Sequence, residues 1–404
     1  MKKMFFILII ILVYLYKGYI YKQRKLYLSN EIIIKINGTG TQQILNSGYI
    51  FKPNEILING TIQCNLNEEN KILISENEEN IIVMKWNNKL TNCSYMFMGL
   101  NNIIEVDLTK FDSSEVKTMS RLFEGCTNLK KIIFNSIFDI SKVETMSFMF
   151  YFCKSLISLD LSGFKTSSVQ ILSFFLADCL LLKSVNLSSF NTSLVTTMNS
   201  MFYNCISLKS LNLSNFNTSN TNDMSHLFLN CFSLTSLDIS NFNTSSTLFL
   251  MQMFYNCYSL TSLDLSSFNT KSVFSMASMF YNCSELINLN LSNFDTSSCV
   301  SFHSMFYGCN KLVSLDISNF DASETLYLID MFYNCSNLQY INFQNFIEHE
   351  NSNLTNIFYD VPDNIVYCSN HEENMPNIIE KLKTKSCVFN DCSNNWKLKK
   401  KNNR

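Results

Sequence analysis

Glycine and proline are nearly missing from this chain, at 9 and 3 of 404 residues, where ordinary usage is roughly 7% and 5%. That scarcity argues against folds built on many Gly/Pro turns and against phosphate loops, which concentrate several glycines in a short stretch. Arginine is limited to Arg24, Arg121 and Arg404, and the formal net charge is -2, so the chain is not expected to bind nucleic acid. Only four histidines occur, His226, His303, His349 and His371, and none is matched in sequence with a carboxylate and a nucleophile. Neither G-x-S-x-G nor H-E-x-x-H is present. The G-x-G at Gly38 to Gly40 lacks the third glycine and the following helix of a dinucleotide loop and reads as a β-turn. No catalytic residue, cofactor or metal site is assigned, and an enzyme is not expected. Charged residues make up just 16%, whereas 34 Phe, 18 Met and 15 Cys are present.

Those residues recur with a period. MFYNC occurs at Met201 to Cys205, Met253 to Cys257 and Met331 to Cys335, and MFYGC at Met305 to Cys309. The Phe marker falls at Phe97, Phe123, Phe150, Leu176, Phe202, Phe228, Phe254, Phe280, Phe306, Phe332 and Phe358, in steps of 26 except one of 27. The extra residue lies between Phe134 and Phe138. Such self-similarity predicts a stack of identical units, none of which can bury its apolar face alone.

Within the unit that starts at Leu260, Leu263, Asp264 and Leu265 alternate as in a short strand whose outer face carries Ser262, Asp264 and Ser266. Val273, Met276, Met279 and Phe280 then follow helical spacing, with Thr270 and Ser272 as natural N-cap residues. Asn204, Asn230, Asn256, Asn282 and Asn334, with Gly125 and Gly308, hold the position before Cys, and Gly99 the same position before Leu100, as a left-handed helix end selects. The expected fold is therefore α/β, a leucine-rich-repeat-like solenoid. Each 26-residue coil would carry one short parallel strand and one short helix, behind a small β-rich N-terminal cap.

The pattern M-F-x-x-C-x-x-L-x-x-L-D/N-L-S-x-F-D/N-T-S-x-V/C-x-x-M/F, seen from Met279 to about Phe302 and in neighbouring coils, resembles the BspA-like surface-protein repeat, a branch of the leucine-rich repeats. The resemblance covers roughly residues 90 to 360. It implies a secreted or surface-displayed interaction protein, often adhesive, without enzymatic activity in the repeats, and it carries over no binding residue.

Around the repeats, residues 1–21 read as a signal peptide or signal anchor, since two lysines precede the apolar run Met4 to Tyr16, too short for a comfortable span. An anchor there would be the sole membrane attachment. Residues 29–90 are expected to form the β-rich cap, from alternating runs at Glu31 to Ile36, Glu55 to Asn59, Lys71 to Ser75 and Asn80 to Trp86. Residues 91–361 form ten to eleven coils and 362–392 a Cys-containing C-terminal cap with a short helix at Asn377 to Lys385. Residues 393–404 read as a basic disordered tail.

Several columns are candidates for function. Cys126, Cys153, Cys179, Cys205, Cys231, Cys257, Cys283, Cys309 and Cys335 share one column and read as buried free thiols acting as small hydrophobes. Cys64, Cys93 and Cys299 lie outside it, and Cys368, Cys387 and Cys392 are candidates for a cap disulfide, with a zinc site through His371 as the alternative. The candidate binding face is the column Tyr151, Tyr203, Tyr255, Tyr281, Tyr307, Tyr333 and Tyr359, together with the outer strand residues Asp238, Asp264 and Asp316. Those aspartates belong to the column Asp107, Asp160, Asn186, Asn212, Asp238, Asp264, Asn290, Asp316 and Asn342, a solvated polar face with calcium as the alternative. Cross-coil stacking on the side of the solenoid is the default reading of the tyrosines, with the binding face as the functional alternative. Sequons include Asn37, Asn59, Asn92, Asn212, Asn282 and Asn353, with Asn37, Asn59 and Asn353 the better glycosylation candidates. The expected function is non-enzymatic binding of a protein or glycan partner, in adhesion or recognition, by a secreted or cell-surface protein. The alternatives are a self-associating envelope or matrix component and a receptor ectodomain.

Overall fold

In the computed structural model, residues 30–393 are described except 64–65, 75–78, 136–137 and 387. The apolar N-terminal segment, Cys64, Cys387 and the basic tail lie outside the described residues. The N-terminal cap is built from β1 (Glu31–Asn37), β2 (Gly40–Gln43), β3 (Glu55–Ile58), β4 (Thr61–Gln63), β5 (Lys71–Ile74) and β6 (Glu79–Lys85). Asn59 and Gly60, both at positive φ, form the tight turn between β3 and β4, the backbone twist that an Asn-Gly pair supplies at least cost. Strand β1 pairs antiparallel with β6 on one side and with β7 (Ile103–Leu108), the first coil's strand, on the other. β7 then pairs parallel with β8 (Lys131–Phe134). The cap sheet thus continues into the strand row of the solenoid and covers its first edge.

Among the described residues the chain winds as a β-solenoid of about 11 turns, β7 and β8 included, with about 3% helix and a single α-helix. The expectation of one helix per coil is overturned. Two rows of extended backbone line the stack. One is the row of short parallel strands, such as Ser210–Asn212 beside Ser236–Asp238. The other is an unbroken series of parallel bridges from Asn92 through Thr118, Thr145 and onward to Asn353.

The segment read as a helix is a run of interlocked turns. The N–H groups of Met279, Tyr281 and Cys283 donate to the carbonyls three residues back, at Met276, Ser278 and Phe280 (3.2, 3.1 and 3.1 Å). Between them, the N–H groups of Met276, Ser278, Phe280 and Asn282 donate to Ser301, His303, Met305 and Tyr307 of the next coil (3.3, 2.7, 2.9 and 2.6 Å). An α-helix would keep these bonds within the segment. Ser278 and Asn282 sit at φ of 54° and 55°, a left-handed conformation that interrupts any right-handed helix. Inward positions still fall three and four apart, because each turn spans four residues.

Thr270 and Ser272 accordingly cap no helix. Thr270 is fully buried and its hydroxyl donates to the Asp295 carbonyl of the next coil at 2.8 Å. The arrangement is reciprocal at Thr244, whose hydroxyl donates to Asn269 O (2.7 Å) and accepts from Asn269 N–H (2.8 Å). Equivalent pairs link Thr166 to Asn191, Thr192 to Asn217 and Thr218 to Asn243. A buried hydroxyl is thereby satisfied in each of these coils, as burial requires.

The interior is filled by columns. Leu260, Leu263, Leu265, Phe268, Val273, Met276, Met279, Phe280 and Cys283 are all buried. Marker phenylalanines stack in parallel, Phe254 on Phe280 and Phe280 on Phe306 at 5.7 Å, and a second phenylalanine row, Phe242, Phe268, Phe294 and Phe320, repeats at 6.4 Å. At the far end Val366–Cys368 pairs parallel with Tyr340–Asn342. The single α-helix, α1 (Pro376–Lys383), buries Ile378, Ile379 and Leu382 there.

Candidate functional site

Each tyrosine follows an inward marker Phe and is fixed on both sides of its peptide. Tyr281 N–H donates to Ser278 O at 3.1 Å, and Tyr281 O accepts from Asn256 N–H at 2.7 Å. With Phe280 turned inward, Tyr281 projects outward and is half-buried. Tyr255, Tyr281, Tyr307, Tyr333 and Tyr359 form one parallel stack, with centroid separations of 4.3, 4.3, 4.6 and 4.7 Å. Burial, with the neighbouring Tyr255 and Tyr307, raises the Tyr281 hydroxyl well above its usual value. Tyr203 stands apart from this stack, because the equivalent residues in the coils beside it are Ala177 and Leu229. Tyr151 instead meets Phe148 and Phe174 edge-on (5.5 and 6.0 Å).

Asp238, Asp264 and Asp316 occupy the strand row and are exposed, on a different part of the coil from the tyrosines. Each Oδ1 accepts from the N–H two residues on, at Ser240 (3.2 Å), Ser266 (3.0 Å) and Ser318 (2.9 Å). Asn186, Asn212, Asn290 and Asn342 accept in the same way. Asn and Asp alternate in this column because the turn needs one oxygen acceptor and no charge. Hydrogen bonds from Ser266 hold the Asp264 carboxyl below its ordinary value. Among the described residues, no group of three or more His, Cys, Asp and Glu side chains is placed to hold a metal ion.

The thiols Cys126, Cys153, Cys179, Cys205, Cys231, Cys257, Cys283, Cys309 and Cys335 are buried and free, as are Cys93 and Cys299. Each of the nine in the column donates to the marker-position carbonyl of the preceding coil, as Cys257 does to Phe228 O and Cys283 to Phe254 O, both at 3.2 Å. Burial pushes the thiols of Cys126, Cys231, Cys283 and Cys335 up to about 12. These groups stay protonated and are poor nucleophiles. In the C-terminal cap Cys368 is joined to Cys392.

Two surface features stand outside the columns read from the sequence. Phe148, Phe152 and Phe174 adopt φ of 58°, 63° and 56°, where a bulky residue is strained, and most other coils place Ser, Asn, Asp or Gly in the same two positions. Phe148 and Phe174 stack at 4.7 Å, and the Arg121 guanidinium lies 4.2 Å from the Phe148 ring. Elsewhere Leu248, Phe274 and Leu326 are exposed at equivalent positions, the Phe274 N–H donating to Leu248 O at 2.8 Å. The signal for both was a large apolar residue in a column otherwise small or polar.

Among the sequons, Asn59 and Asn282 use their side-chain amides within the protein, donating to Asn80 Oδ1 (2.9 Å) and Asn256 Oδ1 (3.0 Å).

No curated protein matches the chain. Among solved structures, the Toll–Spatzle complex of Drosophila aligns at 15% identity with a TM-score of 0.25, covering 62% of this chain and 42% of that one. The chain thus spans less than half the length of that solved relative. A family model matches in three stretches, 70–185, 172–263 and 250–367, that run through the cap's last strands and the whole solenoid. The chain belongs to the family described as Mycoplasma protein of unknown function, DUF285.

Proposed function

We propose that this protein is a non-enzymatic recognition solenoid of the BspA-like kind, secreted or displayed at the cell surface, which binds a protein or glycan partner along its tyrosine-bearing face. The observation that carries this is the stack Tyr255, Tyr281, Tyr307, Tyr333 and Tyr359, five coaxial rings on a surface rather than in the core. Aromatic rings already ordered by their neighbours lose little conformational freedom when a partner docks. The Cys368–Cys392 disulfide suits an oxidising compartment, in which the column thiols are shielded from reaction by burial. Purified protein applied to glycan and host-protein arrays is expected to retain a discrete ligand. Replacing Tyr255, Tyr281 and Tyr307 together by Ser is expected to weaken that binding, and unchanged affinity with an intact fold would move the site off this face.

Self-association is the second reading, favoured by β4. It forms one edge of the cap sheet, carries no charge, and exposes Ile62 at 64%, whereas edge strands are usually protected by charge or a bulge. Concentration-dependent assembly in light scattering, abolished by Ile62→Lys, would support it over a discrete ligand.

A further inference from the structure

The tyrosine ladder ends at a cleft. Tyr359 is its last ring, covered on one side by Tyr333 at 4.7 Å with the planes 14° apart, and it remains 58% exposed. Beside it lies a cleft of about 310 Å³, lined by Asn356, Asp360 and Asp363 from the end of the last coil and by Lys381 and Lys385 from α1 and the turn after it. No residue of the Tyr333 coil lines this cleft. Tyr359 itself lines the cleft, and Tyr333 covers only one face of its ring. One period further on the chain has Lys385 instead of a tyrosine, and its ammonium is drawn aside to Val361 O at 2.7 Å and toward Asp363 at 3.7 Å. Among the described residues, no ring fills the slot a sixth ring of the ladder would take.

We propose that the cleft binds a saccharide, a pyranose ring stacking on the open face of Tyr359 while its hydroxyls are held by Asn356, Asp360, Asp363 and Lys381. The chemistry of the lining selects this class. A pyranose presents an apolar C–H face to an aromatic ring, and its hydroxyls both donate and accept, matching carboxylate acceptors beside ammonium and amide donors. An aromatic side chain would stack equally well but leave those polar groups desolvated without partners. An anion would meet two carboxylates. The volume lies at the lower end of small-molecule sites, suited to a terminal sugar rather than a folded segment. This proposal rests on the recognition function above and gives it a ligand class and a place.

The test is saturation-transfer NMR of the full chain with the methyl glycosides of glucose, galactose, mannose and N-acetylglucosamine, and with N-acetyl-tyrosinamide as a purely aromatic probe. At least one glycoside is expected to receive saturation. Tyr359→Ala is expected to weaken its binding roughly tenfold and Lys381→Ala to weaken it as well, both with unchanged unfolding midpoints. Lys183→Ala, on an exposed strand-side residue, is expected to bind as the parent does. Silence of all four glycosides, response to N-acetyl-tyrosinamide alone, or unaltered affinity in Tyr359→Ala would overturn the proposal. Should the arrays retain a ligand that Tyr359→Ala still binds, the cleft assignment fails and the recognition function stands. Silence of arrays and glycosides together removes both.

Discussion

At the scale of single residues, the fold depends on small polar groups that join one coil to the next. Thr244 is fully buried and serves both the N–H and the carbonyl of Asn269. Thr244→Val keeps the shape and leaves both groups unpaired, so it is expected to lower stability by about 1–3 kcal/mol, while Thr244→Ser retains the pair and most of the stability; urea midpoints of the two variants make the comparison. The cysteine column gives a pH dependence. A thiol raised from 9.0 to about 12 in the fold, as at Cys231 and Cys283, is protonated there under conditions where the unfolded chain has ionised. Its stabilising contribution is complete below about pH 9 and declines as pH rises toward 12. Thermal midpoints are therefore expected to fall steadily from pH 9 upward, and iodoacetamide at pH 8 to label the column only after denaturation. The Asn/Asp column shows where the sequence is ambiguous at this scale. Its spacing fixed an outward strand position, but a turn-closing acceptor and a calcium-binding carboxylate look alike until the N–H two residues on is placed against the oxygen.

At the scale of the element, the coil is the unit, and its inward positions were legible. Leu263, Met276, Met279, Phe280 and Cys283 read as buried from periodicity, and all are buried. Leu263→Asp places an unpaired carboxylate among them and is expected to cost roughly 3 kcal/mol or more and to lower the denaturation midpoint of neighbouring coils together, seen as coincident loss of hydrogen-exchange protection. Wild-type stability would contradict the inward placement. The conformation between those positions was not legible, because two four-residue turns reproduce helical spacing. The distinguishing mark lay in the outward residues. Ser278 and Asn282 stand four apart, and their columns hold Ser, Asn, Asp, Gln and Gly in most coils, residues that favour turns over helix interiors. Two left-handed positions per segment exclude a helix. The strands of the cap were easier, since a run such as Glu31–Asn37 buries alternate residues from Ile32 to Ile36. The Tyr359 cleft was not readable at all, because it depends on where α1 docks after the repeat has stopped.

At the scale of the whole molecule, nearest-neighbour bonding means that the ends decide how unfolding begins. The C-terminal cap is tied by the Cys368–Cys392 disulfide across 24 residues, a loop whose closure in the unfolded chain is worth roughly 3 kcal/mol in the entropic account. Cys368→Ser is expected to release α1 and the last coil first, visible as early exchange at Ile378 to Leu382 while the Phe254 and Phe280 coils stay protected. The reciprocal Thr bonds have a further consequence for the length of the molecule. Each coil receives from the one before it the same pattern of donors and acceptors that it offers to the one after it, so nothing in the middle of the stack records how many coils precede. Excising one period, for instance residues 241–266, should rejoin matching partners, whereas excising 25 or 27 in a regular coil should not. Chain length is then a variable that duplication and deletion can change in whole periods, setting how far the two caps stand apart without touching either one.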